Sequence, residues 1–227
     1  MKLAIVGDIH CKINLMYETV QKIEGLDVIL QIGDFGAFES PETLDKATKK
    51  HDGWIPDFSE YYNGARDAPI LTYFIKGNHE DFEFLRNHEK NSKIAYKIYY
   101  LPNGSMIKLD KMKIGALGGC WSYDDYDCGR KELNGRRMRH FNYQDVALIR
   151  EHKVDILLIH DCPSGVLKDY PERGSPRLRE LIEEIQPKYV FHGHHHRYNY
   201  AKIGRTEVIG LGMIGSEKEK SIHVLDI

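Results

Sequence analysis

Short apolar runs, each stopped by a turn-forming or polar residue, recur along this chain. Lys2–Val6 stops at Gly7, Val28–Ile32 stops at Gly33, and Ile70–Ile75 is followed by Lys76 and Gly77. Runs of this length, apolar at successive positions, predict buried strands. Between the first two, Leu15, Tyr17, Val20 and Ile23 fall at helical spacing and Gly25 closes the helix. Strand, helix and strand within about 30 residues make a βαβ unit, which predicts a parallel pair. Residues 40–66 are polar and mixed; they predict partial helix, with Pro41 in a first turn behind a Ser40 cap.

The second half reads differently. Ile98–Tyr100, Met106–Leu109 and Met112–Leu117, separated by turn residues, predict an antiparallel meander. Residues 118–141 show no clean period and read as a long loop, a kind of segment more often functional than not. Tyr143–Glu151 predicts a helix, Asp155–Ile159 a strand ending at His160, and Pro176–Ile185 a helix opened by its proline. Tyr189–Phe191 predicts a strand running into His192–His196, and three short strands follow near 198–203, 206–211 and 221–226. No repeat, low-complexity segment or linker interrupts the pattern, so the expectation is one α/β domain over residues 1–227 with mixed sheets.

Composition narrows the class. With 41% apolar and 29% charged residues, the chain as a whole is neither disordered nor a collagen nor a disulfide scaffold. A formal net charge of -2 gives no whole-molecule pull toward nucleic acid or anionic lipid. No apolar run nears the ~20 residues of a membrane span, so no membrane partner is expected. The run at Met1–Val6 stops too soon for a cleavable signal. Cys11, Cys120, Cys128 and Cys162 include no CxxC pair, and read as reduced thiols of a cytoplasmic protein. No obligate protein partner is indicated.

The chemistry sits at strand ends. Asp8 and His10, Asp34, Asn78 and His79, His160, and the His192–His196 cluster each follow an apolar run. In open α/β sheets the ligand site lies beyond the carboxyl ends of the strands, so these residues are expected to converge. Asp8 and His10 are two apart, as are His194 and His196; in extended backbone each pair offers two donors on one side. Mixed nitrogen and oxygen donors suit Mn, Fe or Zn better than Ca or Mg. There are too many donors for one tetrahedral ion. Two ions sharing a bridging carboxylate would use them, and that is a common device for phosphoryl hydrolysis. Taken singly, each Asp could be a turn former, Asn78 a left-handed turn residue and His160 a satisfied buried histidine. His192 and His195 are read as structural.

Gly7-Asp8-Ile9-His10, Gly33-Asp34, Gly77-Asn78-His79-Glu80, His160 and Gly193-His194-His195-His196 stand in the order found in the calcineurin-like metallophosphoesterases, and the chain resembles that family nearly end to end. The resemblance implies a four-layer α/β fold in which two mixed β-sheets pack as a sandwich flanked by helices. It implies one metal held by Asp8, His10 and His196, a second held by Asn78, His160 and His194, and Asp34 as the bridge. His79 matches the non-ligand histidine that contacts the phosphate or protonates the leaving group. Phe58–Gly64, Ala68–Thr72, Ile98–Leu101, His160–Pro163, Gly174–Pro176 and Pro187–Tyr189 further resemble segments of RNA lariat debranching enzymes. Those enzymes typically carry Cys where this chain has Asp8, and Gly where it has Cys11. Phosphoprotein phosphatases of the family follow Gly-Asp with Asp-Arg-Gly; here Phe35-Gly36-Ala37-Phe38 follows, which argues against that activity.

Residues 129–140 hold Arg130, Lys131, Arg136, Arg137 and Arg139 against a single Glu132, with Trp121, Tyr123, Tyr126, Phe141 and Tyr143 around them. Charge with aromatics is how single-stranded nucleic acid is often gripped, which makes Arg136 and Arg137 candidate substrate contacts. A solvated basic loop balanced by Asp124, Asp125 and Asp127 is the plainer reading. The expected activity is two-metal hydrolysis of a phosphate ester, foremost a phosphodiester in a nucleotide or RNA. Manganese ranks first as the metal, with Fe, Zn, Ni or Co as alternatives. The alternative functions are a small-molecule phosphomonoesterase and a non-catalytic interaction scaffold of the same fold.

Overall fold

The apolar runs become strands in the computed structural model, which describes residues 1–170 and 172–227. In chain order the first strands are β1 (Lys2–Val6), β2 (Val28–Gln31), β3 (Leu71–Phe74), β4 (Lys93–Ala95), β5 (Ile98–Tyr100) and β6 (Met106–Leu109). They are followed by β7 (Met112–Leu117), β8 (Ile156–Ile159), β9 (Tyr189–His192), β10 (Asn199–Ile203), β11 (Thr206–Gly210) and β12 (Ile222–Asp226). The helices are α1 (Ile13–Val20), α2 (Lys46–His51), α3 (Asp57–Tyr62), α4 (Phe82–Asn87), α5 (Tyr123–Tyr126), α6 (Tyr143–Arg150) and α7 (Pro176–Ile185).

Among the described residues the strands form two six-stranded sheets, ordered β12-β1-β2-β3-β5-β4 and β10-β11-β9-β8-β7-β6. Both have one plan. The central strands β1, β2, β3 and β5 are parallel, with β12 and β4 antiparallel at the edges. In the other sheet β11, β9, β8 and β7 are parallel, with β10 and β6 antiparallel at the edges. The parallel strands need cover on both faces, which is why their sequences are apolar at successive positions.

The alternation of side chains sorts those positions into layers. Leu3 and Ile5 of β1 and Val28 and Leu30 of β2 meet Ile114, Ile156, Leu158 and Phe191 of the other sheet, forming the core between the sheets. Ala4, Val6, Ile29 and Phe74 point the other way, onto Ile13, Met16 and Val20 of α1 and Phe58 of α3. Leu157, Ile159 and Val190 likewise pack on Val146 and Ile149 of α6 and Leu178, Leu181 and Ile182 of α7. The result is helix, sheet, sheet, helix. Phe191 is fully buried between the sheets, and truncating such a residue to Ala costs about 3–5 kcal/mol.

Several expectations need correction. Only half of the meander over 98–117 forms: β6 and β7 pair antiparallel, but β5 lies in the other sheet. Leu101 still donates to Phe74 O, whereas Gly104 donates to Ala116 O, so Pro102-Asn103 carries the chain from one sheet to the other. Within 118–141, α5 and a short 3-10 turn at Gly135–Arg139 interrupt the expected loop. Helix α4 and strand β4 were not signalled, being too short to show a period. Helix α1 ends at Val20, and Leu15 is on its exposed side. Ser40 makes no side-chain cap; Pro41 opens a 3-10 turn, and Asp45 caps α2 instead. No helix among the described residues is long and apolar enough to cross a membrane.

Candidate metal centre

Adjacent strand ends bring the donor residues together. In the first sheet Asp8 and His10 follow β1, Asp34 follows β2, and Asn78 and His79 follow β3. In the second, Cys120 follows β7, His160 follows β8, and His194 and His196 follow β9. The glycines of the motifs are there for space. A Cβ on Gly77 would strike the Asp34 carboxylate, and one on Gly193 would strike that of Asp8. His10, Asp34, His194 and His196 have φ of 44°, 54°, 66° and 52°. Left-handed backbone is sparsely populated by such residues and clusters at functional sites. The paired donors therefore do not stand on extended backbone. Asp8 and His10 do share a cluster, but His194 and His196 point into different ones.

The first cluster is Asp8, His10, Asp34 and His196, whose candidate donor atoms lie within 4.8 Å of one another. His196 Nε2 is 2.9 Å from Asp8 Oδ2 and 3.0 Å from His10 Nε2. The second contains His160, His194 and Cys120, again within 4.8 Å, with Asn78 Oδ1 3.0 Å from His160 Nε2. Asp34 stands between them: Oδ2 is 3.7 Å from His10 Nε2 and Oδ1 is 3.6 Å from His160 Nε2. Its Oδ1 also accepts the backbone N–H groups of Asn78 and His79, at 2.7 and 2.8 Å, which fixes the carboxylate.

Separations of about 3–3.8 Å are those of donors sharing an ion at about 2.0–2.3 Å. His160 also carries the outer contact that such a ligand needs. His160 Nδ1 donates to Ile32 O at 2.9 Å, so its Nε2 presents a lone pair toward Asn78 and Asp34. His10 Nδ1 is 3.9 Å from Asp52. The His194 backbone N–H donates to the Asp8 carboxylate at 3.1 Å. Burial opposes ionisation of Asp8, but the His196 hydrogen bond and the His160 and His10 imidazoles hold its carboxyl well below the usual range. Burial lowers His10 and takes His194 down to about 4, so both are neutral near pH 7, the form that binds a cation. By donor type and spacing the set fits divalent metal ions.

His79 lies beside the first cluster, its ring 5.5 Å from that of His10. Its Nδ1 is 3.0 Å from Asp45 Oδ2. Burial alone would depress its pKa; the Asp45 hydrogen bond and the charges of Asp34, Asp45 and Glu80 overcome that and raise it to about 9. Asp45 also accepts from Ala47 and Thr48 N–H as the cap of α2. Glu80 accepts from Phe35, Gly36, Ala37 and Gly77 N–H, tying the loop after Asp34 to that before Asn78.

Sequence reasoning missed Asp45 and Cys120. The general preference of Asp for helix caps could have flagged Asp45, though not its contact with His79. His192 is fully buried, and His195 Nε2 is 3.7 Å from Asp161 rather than in either main cluster. Of the basic residues, Arg130 is engaged by Asp145 and Asn103 O, and Arg137 by Asp125, Glu132 O and Cys128 Sγ. Arg136 is exposed.

Residues 1–198 match the calcineurin-like phosphoesterase family. The lariat debranching enzyme of Danio rerio is 30% identical over 86% of this chain and 40% of its own length. That of Saccharomyces cerevisiae is 27% identical over 86% of this chain and 57% of its own. The chain thus spans about half the length of these curated relatives. The crystal structure of TT1561 of Thermus thermophilus is similar in fold, with a TM-score of 0.61 at 13% identity, covering 99% of this chain and 98% of that one. With the motif residues gathered at one edge of a two-sheet fold and the match running through the last of them, the chain belongs to the calcineurin-like phosphoesterase family.

Proposed function

We propose that this protein hydrolyses a phosphodiester in a nucleotide or nucleic acid, using two divalent ions. The observation that carries the reading is Asp34, whose two carboxylate oxygens face separate donor clusters. Asp8, His10 and His196 would hold one ion, and Asn78, His160 and His194 the other. Such ions supply Lewis acidity to the phosphoryl oxygens and make an attacking water acidic at neutral pH. Manganese is our first choice, with iron, zinc, nickel or cobalt accepted by the same donor types. The similarity to lariat debranching enzymes supports a nucleic acid substrate. Four free cysteines support a cytoplasmic location.

The chain's own residues complete the reaction. Attack forms a new P–O bond in line with the bond to the leaving oxygen, which breaks. His79, protonated and held through Nδ1 by Asp45, passes its Nε2 proton to that oxygen. Asp45 keeps the imidazolium form favoured and fixes the ring. Arg136 contacts the substrate backbone from the basic segment, and Arg137, anchored on Asp125, holds the segment in place while offering its outer face.

The test is hydrolysis of bis-p-nitrophenyl phosphate against p-nitrophenyl phosphate by the manganese-loaded protein, with Asp34→Asn as control. Diester turnover that exceeds monoester turnover and is lost in the variant supports the proposal. Monoester preference would favour a small-molecule phosphomonoesterase, and no turnover of either would favour a non-catalytic scaffold. If diester turnover is found, branched 2′,5′ RNA against linear RNA tests the debranching likeness.

A further inference from the structure

Cys120 is placed unlike the other buried cysteines. Cys11 packs with Phe38 and Leu44, and Cys162 among the leucines and isoleucines beneath α7. Such thiols behave as small apolar side chains. Cys120 belongs to neither apolar cluster. Its Sγ is 3.3 Å from Asn78 Oδ1 and 3.7 and 3.8 Å from the two ring nitrogens of His194. With His160 and His194 it forms a set of donors within 4.8 Å of one another.

The backbone fixes that position. Strand β7 ends at Leu117, and Gly118 and Gly119 lead to Cys120 beside the ends of β8 and β9. Gly119 has φ of 88°, and a Cβ there would strike Arg139 O. The Cys120 N–H donates to Arg139 O at 2.9 Å, and Phe141 N–H donates to Cys120 O at 3.2 Å. The side chain is 9% exposed. Sulfur at 2.3 Å and nitrogen at 2.0–2.1 Å on one ion sit about 3.1–3.5 Å apart at bond angles of about 90–109°, near the Cys120–His194 spacing.

We propose that Cys120 is a further donor to the ion held by Asn78, His160 and His194. The inference rests on the two-ion reading above. It makes the centre chemically asymmetric. The Asp8/His10/His196 side offers nitrogen and oxygen only. The Asn78/His160/His194 side adds a thiolate, which favours a softer ion such as zinc, cobalt or ferrous iron in competition, manganese filling that side when it is the only ion supplied. On binding, the S–H proton leaves to solvent and an S–metal bond replaces it.

The experiment is an absorption titration of the metal-free full chain with cobalt(II). Visible d–d bands report cobalt in either half of the centre, whereas a near-ultraviolet sulfur-to-cobalt charge-transfer band requires a thiolate donor. The wild type is expected to show both. Cys120→Ser and Cys120→Ala should lose the charge-transfer band and keep the d–d bands, while Cys128→Ser keeps both. Wild-type d–d bands with no charge-transfer band would overturn the role of Cys120 and leave the two-ion reading standing. A charge-transfer band that survives Cys120→Ala would also overturn it, since another thiol would then be the donor. No cobalt bands of either kind would overturn the two-ion reading and this inference together.

Discussion

Asp45 Oδ2 lies 3.0 Å from His79 Nδ1 while Oδ1 of the same carboxylate caps α2 through the N–H groups of Ala47 and Thr48. One side chain thus fixes a helix start and the orientation of the proposed general acid. With Nδ1 committed to Asp45, the proton available for transfer sits on Nε2. His79→Ala is expected to lower turnover of an unactivated diester by about 10²–10⁴-fold, the usual contribution of general acid catalysis. Asp45→Asn should lower it less, because the imidazole remains. Both losses should shrink with p-nitrophenyl leaving groups, which need no proton.

The same pair predicts a pH dependence in the metal-free protein. His79 is raised to about 9, against about 6.5 for a free histidine. A raised histidine adds stability that is full below pH 6.5 and is lost as pH rises through about 9. Thermal unfolding of the metal-free chain should therefore show a decline in Tm over that interval that Asp45→Asn removes. Proton-detected titration of the His79 ring should give its pKa near 9 in the wild type and nearer 6.5 in Asp45→Asn. A wild-type value already near 6.5 would contradict the pairing.

Gly77→Ala tests the spacing of the motif. Its Cβ would meet the Asp34 carboxylate and backbone. The expected outcome is weakened metal binding, measured by calorimetric titration. A secondary-structure spectrum close to wild type should accompany it, because Gly77 lies beyond the end of β3. Unchanged metal affinity would show that Asp34 is not held where the donors require it.

The basic segment should divide its labour. Arg136→Gln is expected to weaken binding of a single-stranded oligonucleotide at low salt, and to reduce the slope of log K against log[salt] by about 0.7 per lost phosphate contact. Arg137→Gln removes one partner of the buried Asp125, leaving His140. It should loosen the segment, read as faster proteolysis between residues 128 and 137. No change in oligonucleotide affinity for either variant would return the segment to a purely solvated role.

Much of the arrangement was legible because the fold repeats one rule: a largely buried parallel strand ends at a polar residue. That rule located Asp8, Asp34, Asn78, His160 and the histidines after β9 without any three-dimensional information. It stopped where periodicity stopped. Cys120 follows β7 as His160 follows β8, yet it opens a stretch without a period. Asp45 lies 34 residues from His79 in sequence, and caps a helix of only six residues. His194 and His196, two apart, would share a side in extended backbone, and the left-handed φ of both residues separates them. The sheet exchange at Pro102-Asn103 looked like an ordinary hairpin turn, because a turn signal does not state which sheet the next strand joins.

The most direct measurement is diester turnover as a function of manganese added to the metal-free chain. The account predicts no turnover in chelator and a rise that saturates at two ions per chain, with Asp34→Asn flat throughout. Full turnover at one ion per chain, or any turnover persisting in chelator, would contradict a two-ion centre bridged by Asp34.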